Sequence, residues 1–208
     1  MGSKEYFDSL ADQWHEIRSG FFSEKVRERA LAAVDVAPEK MAADVGAGSG
    51  YMTEGLVKKG LKVIAIDQSQ AMLDALKRRL AVHDRIICRV GYADYLPVPD
   101  RFVDYAFGNM YLHHVQDPES AIKEMSRILK PGGKLVLTDL DSHNHTFLRK
   151  EHNDVWLGFD RSSIKTWFKQ AGLANISVED VEQNCCADSE SGADTANISI
   201  FIATGEKT

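Results

Sequence analysis

Short apolar runs alternate with helix-patterned stretches through most of the chain, and this alternation narrows the possible folds more than any other feature. Residues 41–45, 62–66, 85–90, 103–108 and 134–140 read as strands, several of them rich in β-branched side chains. Residues 49–59, 70–80 and 119–129 have helical patterning and separate successive strands. Strands that are apolar on both faces and joined through helices belong in a parallel sheet covered on both sides. Toward the end, residues 162–171 read as a helix, and 176–181 and 198–204 as strands. No helix lies between those two strands, so an antiparallel pair is expected there. At the other end, residues 6–18 read as one helix with a stripe of Tyr6, Phe7, Leu10 and Trp14, and Ser23 is placed to cap a second helix over 24–34. With 208 residues and no internal repeat, the expectation is one domain over 1–208, with a helical cap over 1–36 and an α/β core over 37–208.

Composition removes several function classes. The formal net charge is −6, and lysines and arginines are scattered, so no basic face for nucleic acid is expected. No apolar run approaches the roughly 20 residues that cross a bilayer, and polar residues interrupt any signal-like start. Cys88, Cys185 and Cys186 make no disulfide framework, which points to a reducing compartment and to the cytoplasm.

The most specific local signal is Asp44-Val45-Gly46-Ala47-Gly48-Ser49-Gly50, at a strand-to-helix turn. Glycines let a ligand approach the backbone, and the helix start beyond offers free N–H groups. The spacing is G-x-G-x-G; the third glycine of a dinucleotide fingerprint would fall on Tyr51, which disfavours an NAD-dependent oxidoreductase. These residues resemble the first motif of the class I S-adenosylmethionine (SAM)-dependent methyltransferases, and the similarity extends over nearly the whole chain. The resemblance implies a doubly wound, Rossmann-like seven-stranded sheet in the order 3-2-1-4-5-7-6, strand 7 antiparallel, with an N-terminal helical lid. It also implies that Gly46, Ala47, Gly48 and Gly50 border the methionine part of SAM, with Asp44 orienting its ammonium. Asp67 would accept from the ribose hydroxyls, next to Gln68. Gly91-Tyr92-Ala93-Asp94 resembles the following motif, with Asp94 at the adenine amino group and Tyr95 beside it. Asn109 and Met110 would flank the methionine moiety, and Leu129-Lys130-Pro131-Gly132-Gly133-Lys134 resembles the family's turn into strand five.

A sulfonium methyl donor is already activated, so the protein's task is mainly to hold the acceptor in line and exclude water. Where the acceptor arrives protonated, His114 and His113 are candidate bases, since imidazole titrates near neutrality; the alternative is that they shape the pocket. Tyr6, Trp14 and Phe22 suggest a lid over the acceptor or plain packing, and Trp156 and Phe159 either line the acceptor pocket or anchor the last helix. No resident metal is expected, although His143, His145 and His152, or Cys185 and Cys186, are sets that such a site would draw on. The reading is transfer of a methyl group to a small molecule, giving S-adenosylhomocysteine. A macromolecular amino-group methylase is disfavoured because the run Asn109-Met110-Tyr111-Leu112 contains no prolines. A SAM-binding regulatory or partner subunit stays open, because fold alone does not establish catalysis.

Overall fold

The computed structural model describes residues 2–80 and 84–208. Among them, strands β1 (Met41–Val45), β2 (Lys62–Asp67), β3 (Ile86–Val90), β4 (Val103–Asn109), β5 (Leu129–Leu140), β6 (Leu173–Asp188) and β7 (Thr195–Lys207) form one seven-stranded sheet. Its order is β3-β2-β1-β4-β5-β7-β6, the order that the resemblance implies. β1 through β5 pair in parallel, and β7 runs antiparallel to both β5 and β6.

Successive side chains of a strand point to opposite faces, and here both faces are apolar. Ala42, Val63, Phe107 and Val136 join the core under helices α3 (Lys25–Ala32) and α4 (Tyr51–Lys58). Ala43, Ile64, Ala106 and Leu135 join the opposite core, under α6 (Pro118–Ile128) and α8 (Arg161–Gln170). Helix α5 (Gln70–Arg79) begins on Ser69, whose hydroxyl accepts the Met72 N–H, and α6 begins on Asp117, which accepts from Ser120. Both are side-chain caps of the kind that fix a helix start.

Several local expectations need correction. The stretch 6–18 is two helices, α1 (Ser3–Leu10) and α2 (Trp14–Phe21), broken by a turn at 11–13. The break buries Ala11 against Met72 and lets Phe7 and Trp14 meet edge to face, with ring centroids 5.1 Å apart. Such a pair contributes about 1 kcal/mol beyond its buried area. The next helix starts one residue later than expected: Glu24 occupies the N-cap, while the Ser23 hydroxyl accepts the Lys25 N–H at 3.3 Å. A one-and-a-half-turn helix, α7 (Phe147–Glu151), follows β5 where only a loop was expected. β6 and β7 extend well past the apolar segments that announced them. Their added residues are largely polar and half exposed, and β6 carries two register irregularities, one of them at Glu182 with φ +60°. Side chains facing water on one side give a weak sequence signal.

Candidate functional site

The C-terminal ends of β1, β2 and β4 open into a cavity of about 500 Å³ roofed by α1 and α2. Open α/β sheets bind ligands at this edge. The loop after β1 is held by backbone and carboxylate together: the N–H groups of Gly46 and Ala47 donate to the Ile66 carbonyl, and that of Gly48 donates to Asp67 Oδ2 at 2.8 Å. The other Asp67 oxygen accepts the Ser69 N–H at 2.9 Å. Asp67 therefore ties the glycine loop to the start of α5 before any ligand is present. Gly46 is obligatory here, because its φ is +70° and a Cβ would lie 2.6 Å from Tyr111 Cβ.

Asp44 is buried at the back of this loop, its Oδ2 accepting the Thr53 hydroxyl at 2.5 Å. Burial pushes its carboxyl up to about 7, against the bonds from Thr53, and the neighbouring charge of Asp67 adds to the rise. Burial also raises the Asp67 carboxyl, in spite of its backbone donors. Opposite Asp44, Arg18 of α2 lines the cavity while almost wholly buried. Its guanidinium lies 4.0 Å from the Tyr51 ring centroid, its Nη2 pairs with Glu24 at 3.1 Å, and its Nε has no partner. The buried Ser49 hydroxyl also lacks one. Unpaired buried polar groups are costly; both line the cavity and are positioned for a polar ligand.

The roof is pinned to the sheet edge by polar bonds. The Gln68 amide donates to Ser3 Oγ at 3.1 Å, the Ser69 hydroxyl donates to Asp8 at 2.6 Å, and Arg78 bonds Asp12. Beneath these pins Trp14 lies over the loop, near enough that a Cβ on Gly48 would stand 3.3 Å from its Nε1.

The far end of the cavity is a histidine–carboxylate cluster. His113 and His114 close a short 3-10 turn after β4. His113 Nδ1 is 2.7 Å from Asp139 Oδ1; Asp139 is fully buried, and it also accepts the Leu112 N–H at 2.9 Å. The second ring nitrogen, Nε2, faces Asp154 Oδ1 at 3.9 Å, and His114 Nδ1 lies 3.8 Å from the same oxygen. Burial works against a charge on His113, but the flanking carboxylates outweigh it and lift the imidazole to about 9. Burial and the neighbouring His113 hold His114 neutral. Burial pushes Asp154 up to about 6, opposed by His113.

Among the residues singled out from sequence, Asp44, Gly46, Ala47, Gly48, Asp67, Gln68, Asp94, Asn109, Met110, His113, His114, Trp14 and Phe22 all border the cavity. Five others do not. Gly50 starts α4 with φ +90° and lets Leu76 pack so close that a Cβ would stand 2.7 Å from its Cγ; its role is helix packing. Tyr95 points to solvent, 76% exposed. Tyr6 turns its hydroxyl to the Glu151 carbonyl and ties α1 to α7 behind Phe7. Trp156 donates to the Val115 carbonyl, and Phe159 is buried against Trp156 and Trp167, so both anchor the segment before α8 and stand outside the cavity lining. His143 and His145 lie side by side outside the cavity wall, whereas His152 and Cys185 line it. Sequence reasoning missed Arg18, Asp139 and Asp154. Asp139 had a readable signal, a lone carboxylate in an otherwise apolar strand; Arg18 and Asp154 had none.

Residues 43–137 match the family described as a methyltransferase domain. The chain is 31% identical over 171 residues to the chloroplastic 2-methyl-6-phytyl-1,4-hydroquinone methyltransferase of Arabidopsis thaliana, covering 79% of this chain and 49% of that protein. It is 35% identical over 136 residues to a demethylmenaquinone methyltransferase of Renibacterium salmoninarum, covering 64% of this chain and 56% of the relative. The chain thus spans about half the length of these curated relatives. Among solved structures, the methyltransferase in complex with the Haloferax volcanii Trm112 activator superposes with a TM-score of 0.79 at 22% identity, over 99% of this chain and 97% of that one. Sequence match and fold together place this chain in the class I SAM-dependent methyltransferase family.

Proposed function

We propose that the protein transfers a methyl group from SAM to a small molecule with a planar, apolar body and a protic group at one end. The observation that supports this most is the pairing, in one cavity, of a pre-organised glycine loop with an apolar compartment that ends in the histidine–carboxylate cluster.

The residues present fit the cofactor. Asp67 uses one lone pair on each oxygen for the loop and keeps others for two ribose hydroxyls. Asp44 offers a carboxylate for the ammonium, and the unpartnered Nε of Arg18 offers a donor for the carboxylate. Ile66, Met72 and Leu96, with Asp94 at the rim, suit the adenine. Bound there, SAM supplies an already activated methyl group.

Phe21, Phe22, Leu140 and Leu148 give the acceptor side its apolar walls, and burial of a planar ring among them would bring proximity and exclude water. The protic end then meets His114 and Asp154. His114 is neutral but weakened as a base by burial and by His113, so it is suited to accept a hydrogen bond from the protic group, and Asp154, at about 6, is the better matched proton acceptor; His113, a cation beside Asp139 and Asp154, is suited to orient them and not to act as base. By their names, one relative above acts on a phytyl-substituted hydroquinone, a ring with hydroxyl groups, and another on demethylmenaquinone. The test is calorimetric titration with SAM, S-adenosylhomocysteine and NAD, followed by labelled-methyl transfer to a panel of hydroquinones. Binding of both sulfur ligands and label in a ring product support the reading. Failure of both to bind, or label transferred equally to every acceptor, overturns it.

A further inference from the structure

The geometry points to a divalent-cation site formed by His113, His114 and Asp154. One ligand atom from each lies within 4.8 Å of the others: the Nε2 of His113 and Nδ1 of His114 approach one Asp154 oxygen at 3.9 and 3.8 Å. Two imidazoles and a carboxylate are the donor set of borderline ions such as Zn²⁺ or Co²⁺. Ligand atoms around such an ion, each about 2.1 Å from it, sit somewhat closer to one another than these do, so a small contraction completes the site.

Three features show that the set is built and not an accident of neighbouring loops. Asp139 grips His113 Nδ1 at 2.7 Å and so leaves Nε2, whose proton an incoming ion would displace, as the ligating nitrogen, the carboxylate–histidine arrangement that supports metal-bound imidazoles. Asn153 has φ +59°, and the N–H groups of Val155 and Trp156 both donate to the His113 carbonyl, so the loop is bent and fastened to hold Asp154 inward. The Asn153 carbonyl accepts from His114 Nδ1 at 3.3 Å and holds the ring, and an ion taking Nδ1 would move that ring proton to Nε2 and leave the carbonyl beside the ion as an oxygen donor. The cluster also opens on the cavity, which gives an ion its route of entry, and His152, whose Nε2 has no partner, lines the same wall. A cation between Asp139 and Asp154 would take the electrostatic place that the imidazolium proton of His113 otherwise fills. The ion shares His113, His114 and Asp154 with the proposed reaction, but its binding needs no methyl donor, so it is tested separately from that reaction.

The test uses the full chain, stripped of metal and titrated with Co²⁺ and then with Zn²⁺ against a chromophoric indicator, without SAM. One ion per chain is expected, with visible d–d bands that Zn²⁺ abolishes. His114→Gln and Asp154→Asn should each weaken binding at least tenfold, Asp139→Asn by roughly 10–100-fold, and His143→Gln not at all. Imidazole NMR signals of the wild-type chain provide a measurement free of folding defects: Zn²⁺ should move those of His113 and His114 and spare His15. Binding as tight in Asp154→Asn as in wild type, thiolate bands from the cysteines, or unmoved His113 and His114 signals would each overturn the site.

Discussion

With Asp44 receiving the cofactor's ammonium as proposed, binding depends on pH in a definite way. Its carboxyl sits at about 7 in the free protein because it is buried, and an incoming ammonium is stabilised only by the ionised form. The apparent affinity therefore follows the ionised fraction. At pH 8 that fraction is about nine-tenths, at pH 6 about one-tenth, so binding of S-adenosylhomocysteine should weaken about tenfold between them and approach a further tenfold for the next unit down. At pH 7 each binding event should release about half a proton. Calorimetry at pH 6, 7 and 8, in two buffers of different ionisation enthalpy, measures both quantities. Asp44→Asn should flatten the profile near the low-pH affinity of the wild type, and Thr53→Val, which removes a donor to the carboxylate, should move the midpoint to higher pH. Equal slopes in wild type and Asp44→Asn, or no proton release, would refute the reasoning. The sign for folding is opposite. The folded chain holds this proton more tightly than the unfolded one, so the group's contribution to stability falls from about pH 4 to pH 7 and is level above.

Gly46→Ala forces a left-handed residue to carry a side chain against Tyr111, and should cost about 2–4 kcal/mol in urea unfolding; an unchanged midpoint would mean the loop is not held as described. Asp67→Asn turns an amide donor toward one of two backbone donors, so it should lower stability by about 1–3 kcal/mol and weaken S-adenosylhomocysteine binding at least tenfold, read by unfolding and calorimetry. Glu54 is half-buried. Burial alone would raise its carboxyl, but bonds from Lys58 and Arg79 overcome this and hold it at about 2. The stability difference between wild type and Glu54→Gln should be about 1–2 kcal/mol, allowing for solvent screening, at any pH above 4.5, and should vanish as pH falls through 2. A difference that persists at pH 2 would assign it to packing.

The strands were legible because they are buried on both faces: runs such as Val63 to Ile66 have no other stable home. The order of the sheet came from the resemblance, since periodicity cannot say which strand neighbours which. Residues at or just past a strand end, such as Asp67, Asn109 and His113, were also legible, because chain geometry delivers them to the cavity edge. What escaped was anything delivered by tertiary turns. Arg18 looks like a solvent-facing helix charge until α2 folds over the loop, and Asp154 depends on the left-handed bend at Asn153. Trp156 and Phe159 left two readings open, pocket wall or helix anchor, for the converse reason: aromatic composition advertises burial but not which side of a wall is being filled.

The roof made by α1 and α2 has a kinetic consequence. Ser3, Asp8 and Asp12 hold it at the rim through Gln68, Ser69 and Arg78, and Phe7 and Trp14 support it from beneath. In the proposed reaction a nucleoside-sized product beneath these groups would leave through an opening of the helix pair, so its dissociation is expected to depend on that local opening as well as on product contacts. The Asp12–Arg78 pin is exposed and ionic, so salt should hasten departure while leaving the event at the methyl group unaltered. Turnover in this protein would then be paced by how often its first twenty residues let go.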